Sequence, residues 1–147
     1  ADSTVEHWRL MFVGDQFGEW KLLNTIDDTL GLQAFTLIET GIVALKPEDS
    51  MNISLVEWSP RQTWERKATI PVDANTTGWS LSPYENNQVI VSRQENGRTL
   101  VSIFAVGTGL MSAPLLELDS SEEPSFGTLS DGTLLCCTRT DCHSIFV

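Results

Sequence analysis

Three basic side chains recur at nearly equal spacing along an otherwise acidic chain. Lys46, Arg93 and Arg139 are separated by 47 and 46 residues, and each is followed two positions later by an acidic residue. We expect each cation just past the second strand of its repeat, so that the three form a basic arc along one rim of the fold. Such an arc would receive an acidic peptide or another anionic ligand. The alternative is that each cation pairs with the acid that follows it, as an exposed ion pair that contributes little.

A second group of reactive side chains lies within 136–143. Cys136, Cys137, Cys142 and His143 are residue types that bind zinc. Adjacent cysteines on a strand point to opposite faces, however, so Cys136 and Cys137 cannot reach one ion without a bulge. We therefore predict structural thiols and no metal site. Cys137 and Cys142 flank a short loop and could pair across a hairpin in an oxidising environment.

No residue pattern in the sequence points to catalysis. The two histidines, His7 and His143, stand outside any nucleophile-elbow sequence or metal-binding pair. Carboxylate pairs such as Asp27-Asp28 fall between predicted strands, where solvated loop charge is the usual case. We predict no catalytic residue and no cofactor, which favours a non-enzyme without deciding the question.

The five tryptophans are many for a chain of 147 residues. Trp58 and Trp79 lie in predicted strands, so they are expected to fill space between sheets. Trp20 and Trp64 fall near predicted turns, where an exposed indole ring can stack on a sugar. These two are the candidate residues of a carbohydrate-binding site.

The net charge of the chain limits its possible partners, and its number of cysteines bears on the cellular compartment. With 20 acidic and 9 basic side chains, the formal net charge is −11, and its field repels phosphate backbones and anionic membranes. Nucleic acid and membrane surfaces are therefore not expected as partners. No run approaches the roughly 18 apolar residues of a spanning helix. An odd number of cysteines favours a reducing compartment, so we expect an intracellular, cytoplasmic location, with secretion as the alternative.

The candidate binding residues named above must be held by the strands and turns of the fold. Short runs of β-branched and aromatic residues predict these strands. Runs such as 53–58 and 100–106 predict strands, and the dipeptides Asn96-Gly97 and Asp131-Gly132 predict chain reversals between them. No window of eleven residues keeps the apolar spacing of an amphipathic helix. The sequence therefore predicts an all-β protein of antiparallel hairpins.

These strands recur with a period of about 46 residues. Asp27, Asp73 and Asp119 are spaced 46 residues apart, and the segment 102–106 returns, one residue short, as 144–147. A four-stranded antiparallel unit of this length is typical of a β-propeller blade, whose sheet packs against its neighbours on both faces. The repeat therefore predicts propeller blades.

The register of the repeat predicts a single all-β unit of about three and a quarter blades. The predicted parts are half a blade in 1–28, full blades in 29–73 and 74–119, and an incomplete blade in 120–147, with about 13 strands in all. Because propellers typically have 4 to 8 blades, we predict a partial β-propeller that completes a ring with other blades, from this chain or another. The alternative fold is a β-trefoil, suggested by Gln62-Thr63-Trp64, a motif that does not recur one period away.

Two blade-like stretches resemble a known family. In one, 79–84 includes Ser82-Pro83 at a predicted turn; in the next, Leu129-Ser130-Asp131-Gly132 occupies the similar place. Over 78–147 this order resembles the seven-bladed lactonase propellers, the phosphogluconolactonase and carboxymuconate-cyclising group. Active members of that family carry Pro-Arg-His entering a blade, with the histidine facing the ligand. Here the matching places read Pro124-Ser125-Phe126 and Thr77-Gly78-Trp79, so the resemblance implies the fold and lacks the catalytic histidine.

The sequence thus predicts a non-enzymatic binding or scaffolding module. Its loop rim would meet a protein or peptide partner, and its open edges would meet further propeller blades. A carbohydrate-binding lectin, with a glycan as ligand, and part of a lactonase-like hydrolase are the alternatives. The candidate binding residues are Lys46, Arg93, Arg139, Trp20 and Trp64.

Overall fold

The computed structural model describes residues 4–12, 14, 18–73, 75–119 and 123–145. These residues form fourteen strands and no helix, which confirms the all-β class. Within the described ranges there is accordingly no helix of the length and apolarity that crossing a membrane requires. The predicted units 1–28 and 120–147, and the predicted strand 144–147, include residues outside this description.

All pairings between the strands are antiparallel. In chain order the strands are β1 (Val5–Met11), β2 (Glu19–Ile26), β3 (Ala34–Ile38), β4 (Gly41–Pro47), β5 (Asn52–Trp58), β6 (Trp64–Pro71), β7 (Thr76–Tyr84), β8 (Gln88–Glu95), β9 (Arg98–Ala105), β10 (Leu110–Met111), β11 (Leu116–Leu118), β12 (Ser125–Thr128), β13 (Leu134–Cys137) and β14 (Cys142–Ile145).

The chain divides into two compact units, Ala1–Gly31 and Leu32–Val147. The first unit contains one hairpin, formed by β1 and β2. A register shift between His7 and Trp8 interrupts its pairing, so Leu23 has no partner opposite it. Such a shift is a β-bulge, which changes the face to which the following residues point.

The second unit contains three sheets whose strands follow each other in chain order. Sheet I is β3-β4-β5-β6, sheet II is β7-β8-β9 with β10 and β11 along the far edge of β9, and sheet III is β12-β13-β14. Tight turns join the strands: Asn96 (φ 53°) and Gly97 (φ 78°) both adopt the left-handed conformation between β8 and β9. This is the conformation that a two-residue hairpin turn requires and that Asn-Gly adopts readily.

Sheet II is buried on both faces. Four consecutive residues of β8, from Val89 to Ser92, are buried, although neighbours on a strand point to opposite sides. One face packs on sheet I and the other on sheet III. The first core contains Val43, Leu45 and Leu55 of sheet I with Val89, Val91 and Phe104 of sheet II; the second contains Ile90, Val101 and Ile103 of sheet II with Leu134 and Cys136 of sheet III.

The fourth strand of sheet II is interrupted, so the described residues contain one strand more than the 13 expected. Pro114 lies between β10 and β11 and has no N–H to donate to β9. On either side of it the pairing continues, since the amides of Ser112 and Leu115 donate to the carbonyls of Ile103 and Val101 (both 2.8 Å).

Sheets I and II occupy Ala34–Pro71 and Thr76–Leu118, within the repeat units 29–73 and 74–119. Their assignment to propeller blades stays a prediction. Each sheet of the described residues is open, without the closed barrel of a β-trefoil. Gln62 of the Gln-x-Trp motif instead has φ 62° in the turn before β6, which Ser59 and Thr63 close with a backbone hydrogen bond of 2.9 Å.

Candidate functional site

A cavity of about 260 Å³ opens between the ends of sheets I and II. We call it the rim pocket. It is lined by the β3–β4 turn, the end of β5, the start of β6, the β7–β8 turn and the β9–β10 turn. The lining residues are Thr40, Glu57, Arg66, Lys67, Asn87 and the turn 106–109.

A bulge in β6 places Lys67 beside two carboxylates. Ala68 pairs with Leu55 and Arg66 pairs with Val56, so Lys67 is the extra residue between them. Its Nζ lies 3.7 Å from Oε2 of Glu57 and 3.8 Å from Oε2 of Glu65. Two carboxylates therefore share one ammonium group, and the cluster carries a net negative charge.

Glu57 is the less exposed of these carboxylates, with 17% of its side chain accessible. The hydroxyl of Thr40, in the β3–β4 turn, donates a hydrogen bond of 2.9 Å to its Oε1. This bond and the ion pair with Lys67 fix the orientation of the carboxylate at the pocket wall.

The guanidinium of Arg66 is engaged elsewhere. Its Nε and Nη2 donate to Oε1 of Glu48 at 3.1 and 2.8 Å, and the buried Ser54 hydroxyl donates to the same oxygen. The Ser54 hydrogen bond, followed by that of Arg66, lowers the pKa of the Glu48 carboxyl from its ordinary value. Lys67 is thus the cation that neutralises the pocket's own carboxylate.

Asn87 supplies an acceptor that no described group satisfies. It has φ 56° in the β7–β8 turn, and its backbone oxygen accepts a hydrogen bond of 3.1 Å from the amide of Val106. Its side-chain Oδ1 is buried and has no hydrogen-bond partner among the described residues. A buried acceptor without a donor costs about 1–3 kcal/mol, so this turn contains an unfavourable polar group.

Two glycines keep the β9–β10 turn close to β6 and leave the pocket open. Gly109 has φ 72°, and a Cβ there would lie 3.0 Å from the carbonyl oxygen of Lys67. A Cβ on Gly107, by contrast, would meet no atom within 4 Å. The turn therefore packs against sheet I at Gly109, while the space above Gly107 is free for a ligand.

Two of the three cations predicted to form a basic arc lie at the far ends of strands that begin beside the rim pocket. Thr40 and Asn87 directly precede β4 and β8, whereas Lys46 and Arg93 lie near the ends of these strands. Both cations lie inside their strands, because pairing continues beyond each of them to Pro47 and Glu95. The sequence had predicted positions just past the strand ends. Arg139 does follow its strand, β13, in the turn before β14.

Arg93 shows the local pairing that was the alternative to the arc. Its Nε lies 3.7 Å from Oε2 of Glu95, and its guanidinium carbon lies 5.9 Å from the ring centroid of Trp79. The side chain is only 14% exposed, and Nη1 is buried without a hydrogen-bond partner in the described part of the chain. Arg93 is therefore positioned within its own sheet, with little of its charge facing solvent.

The two tryptophans predicted as sugar-binding candidates are in different environments. Trp20, the second residue of β2, is 66% exposed. Trp8 is 46% exposed and belongs to the same hairpin. Trp64 begins β6 and is half-buried, packing edge-on against Trp58 with ring centroids 5.0 Å apart. Trp58 and Trp79, expected in the core, are also half-buried.

The three cysteines have separate environments. Cys137 and Cys142 lie directly opposite each other in β13 and β14 and form a disulfide. Cys136 is a buried free thiol, and burial raises the pKa of this thiol. Across the described ranges, no three His, Cys, Asp or Glu side chains come together as metal ligands.

Sequence reasoning did not find the rim pocket. Turn signals in the sequence predict where the chain reverses, but they do not say which turns from different sheets meet. The bulge at Lys67 has no sequence signal of its own, because it depends on how β5 and β6 pair. The polar residues of the pocket also do not recur in the repeat of about 46 residues.

The comparisons with known proteins identify no relative. No family model, no curated protein and no solved structure matches the chain. The resemblance to the lactonase propellers therefore rests on its sequence motifs alone.

Proposed function

We propose that this chain is a non-enzymatic binding module, a set of propeller blades whose loop rim holds a segment of a protein or peptide partner. The observation that carries this proposal is the rim pocket, which is open and is lined by turns of two adjacent sheets. Loops at the rim of a rigid β scaffold are common positions for binding residues.

The arrangement of the sheets supports the propeller part of the proposal. The first strands of sheets I and II, β3 and β7, are neighbours, as the innermost strands of adjacent blades are. Sheet II buries both faces between sheets I and III, as a blade within a ring does. We propose that the ring is completed by further blades, because Phe35 and Leu37 of β3 remain 54% and 48% exposed.

Selection of displayed peptides on the folded chain tests this function. Gly107→Phe places a ring in the open space of the rim pocket, where no neighbouring atom opposes it. Gly127→Phe is the matched control, since Gly127 lies in sheet III and a Cβ there also meets no atom within 4 Å. We expect selected peptides to bind the parent chain and Gly127→Phe equally, and to lose about tenfold or more in affinity for Gly107→Phe. Failure to enrich any peptide, or equal binding to both variants, contradicts the proposal.

A second candidate function, carbohydrate binding, is favoured by the exposure of Trp20 and Trp8 on one hairpin. Exposed indole rings are suitable surfaces for stacking on the apolar face of a sugar. A glycan array probed with the parent chain, Trp20→Ala and Leu30→Ala tests it, since Leu30 is an exposed apolar residue without a ring. Signal that is lost only in Trp20→Ala supports a lectin, and an array without signal contradicts one. No observation favours the hydrolase alternative.

A further inference from the structure

We infer that Asn75 is an N-glycosylation site, which receives an oligosaccharide in the secretory pathway. The inference goes beyond the proposed function, because it concerns a turn at the end of β7 that lies away from the rim pocket. It includes secretion, the location that the sequence analysis gave as the alternative. Three observations lead to it: an acceptor motif, the exposure of that motif in a turn, and a disulfide in the same compact unit.

The chain contains two acceptor motifs of the form Asn-x-Ser/Thr, which are Asn52-Ile53-Ser54 and Asn75-Thr76-Thr77. A motif this short also occurs by chance, so its structural surroundings decide whether it can be used. An attached oligosaccharide is bulky and hydrophilic. The asparagine that carries it must therefore lie on the surface, where the sugar can extend into solvent.

The second motif has these surroundings. Asn75 and Thr77 are exposed, and Asn75 directly precedes β7 in a turn. Main-chain amides hold this turn. The amide of Asn75 donates to Oδ1 of Asp73 (2.7 Å), and the amide of Thr76 donates to the carbonyl oxygen of Asp73 (3.1 Å). A sugar on the side-chain Nδ2 of Asn75 would break neither bond, so the modification leaves the turn intact.

The first motif lacks these surroundings. Asn52 is half-buried at the start of β5, and its Nδ2 donates to the two carboxylate oxygens of Asp49 (3.2 and 3.3 Å). The Ser54 hydroxyl is buried and donates to Glu48. A glycan on Asn52 would replace one N–H of an amide that is already engaged, and the hydroxyl of this motif is inaccessible in the folded chain. The structure thus distinguishes two motifs that are equivalent in sequence.

The Cys137–Cys142 disulfide is the independent observation. Disulfides form and persist in secreted proteins and in the lumen of the secretory pathway, and they are rare where thiols are kept reduced. Asparagine-linked sugars belong to secreted proteins as well. The third cysteine, Cys136, is buried, which shields its thiol from oxidation in such a compartment. The disulfide and the exposed motif therefore point to the same route through the cell.

The modification joins Nδ2 of Asn75 to the anomeric carbon of an oligosaccharide. The donor is an oligosaccharide carried on a lipid pyrophosphate. Its bond from the anomeric carbon to the pyrophosphate oxygen breaks, the lipid pyrophosphate leaves with the electron pair, and the amide loses one proton. Asn75 precedes β7 and Asn87 of the rim pocket follows it, so the nine residues of β7, about 30 Å in length, separate the glycan from the pocket.

The experiment is secretion of the whole chain, behind a cleavable signal sequence, from a eukaryotic cell. Intact-mass spectrometry before and after treatment with peptide N-glycosidase counts the glycans. Release converts the glycosylated asparagine to aspartate, which identifies the residue in a peptide digest. We expect the mass of one glycan, attached at Asn75. A parent chain without a glycan, whether it is secreted or retained in the cell, overturns the inference.

Three variants locate the site. Asn75→Gln removes the acceptor and Thr77→Ala removes the hydroxyl of the motif, so we expect each variant to lose the glycan completely. Asn52→Gln is the matched control, because it makes the same substitution in the other motif, and it should keep the glycan. A glycan that remains in Asn75→Gln and is lost in Asn52→Gln contradicts the inference. Mass reports the covalent state of the chain, so a variant of lower stability still gives a result.

Discussion

Sheet II and the β1–β2 hairpin are built from similar strands but bury their apolar side chains to different extents. In sheet II, Val91 is fully buried and Phe104 is 1% exposed. In the hairpin, Trp8 is 46% and Trp20 is 66% exposed. Strands of both regions carry large apolar side chains, at alternating positions in β1 and at consecutive positions in β8. The difference shows that the pattern of a strand defines which face is apolar, while burial requires a neighbouring sheet.

The register of the hairpin collects its apolar residues on one face. Trp8 lies opposite Leu22, and Leu10 lies opposite Trp20. All four side chains remain between 37% and 66% exposed. A two-stranded hairpin is marginally stable by itself, because it has no second layer on which to bury such a face. The free energy of unfolding should therefore depend strongly on sheet II and weakly on this face of the hairpin.

Removing the largest buried side chain of sheet II should have the greatest effect. Phe104→Ala leaves a cavity in the core between sheets I and II, and we expect the free energy of unfolding to fall by about 3–5 kcal/mol. Equilibrium denaturation in urea measures it. Phe35→Ala is the control, because this phenylalanine of sheet I is 54% exposed and should cost much less. Equal losses from the two variants would mean that sheet II is not the centre of the core.

The sequence predicted this difference only in part. The period of about 46 residues placed the strands of sheets I and II in separate units, and the predicted blades were expected to pack against neighbours on both faces. The same pattern did not predict the exposure of Trp8 and Trp20, because exposure depends on what covers a face. The rim pocket was not predictable for a similar reason, since Glu57 and Asn87 are far apart in sequence and come together through sheet packing.

Sheet III is intermediate in burial between sheet II and the β1–β2 hairpin. The stability of its β13–β14 hairpin should depend on the disulfide. Leu134 is fully buried against sheet II, whereas Cys142 and Ser144 of β14 are exposed. Replacing Cys137 and Cys142 together with serine removes a cross-link that closes a short loop, and we expect a loss of about 2 kcal/mol. Thermal unfolding with and without a reductant measures it. The reductant should destabilise the parent chain and leave the double variant unchanged; an equal effect on both contradicts the assignment.

A smaller effect is expected from the loss of a hydrogen bond between β7 of sheet II and the β12–β13 turn of sheet III. The Tyr84 hydroxyl donates to the carbonyl oxygen of Gly132 at 2.8 Å, and Tyr84→Phe should cost about 1 kcal/mol. Burial, followed by the charge of Glu85, raises the pKa of Tyr84 above its ordinary value. The phenol therefore contributes its full stabilisation below about pH 10, its unfolded pKa, and loses it as the pH rises through the raised folded value.

Alkaline titration isolates this residue because Tyr84 is the one tyrosine of the chain. The near-ultraviolet absorbance of tyrosinate should rise at higher pH in the folded protein than in the urea-unfolded protein. The parent chain should also lose stability relative to Tyr84→Phe over the same pH range. Coincident titration curves for the folded and unfolded protein contradict the role assigned to this hydrogen bond.

The smallest effect is expected on the exposed face of the hairpin. Trp20→Ala removes a large apolar side chain, but because 66% of it is already exposed, the free energy of unfolding should change by less than about 0.5 kcal/mol. Trp64→Ala provides a control of the same residue type, since Trp64 packs edge-on against Trp58 and its loss should cost about 1 kcal/mol or more. Urea denaturation of both variants makes the comparison. If the two variants lose the same free energy of unfolding, the apolar face of the hairpin is covered in solution. The hairpin and sheet II would then not differ in burial.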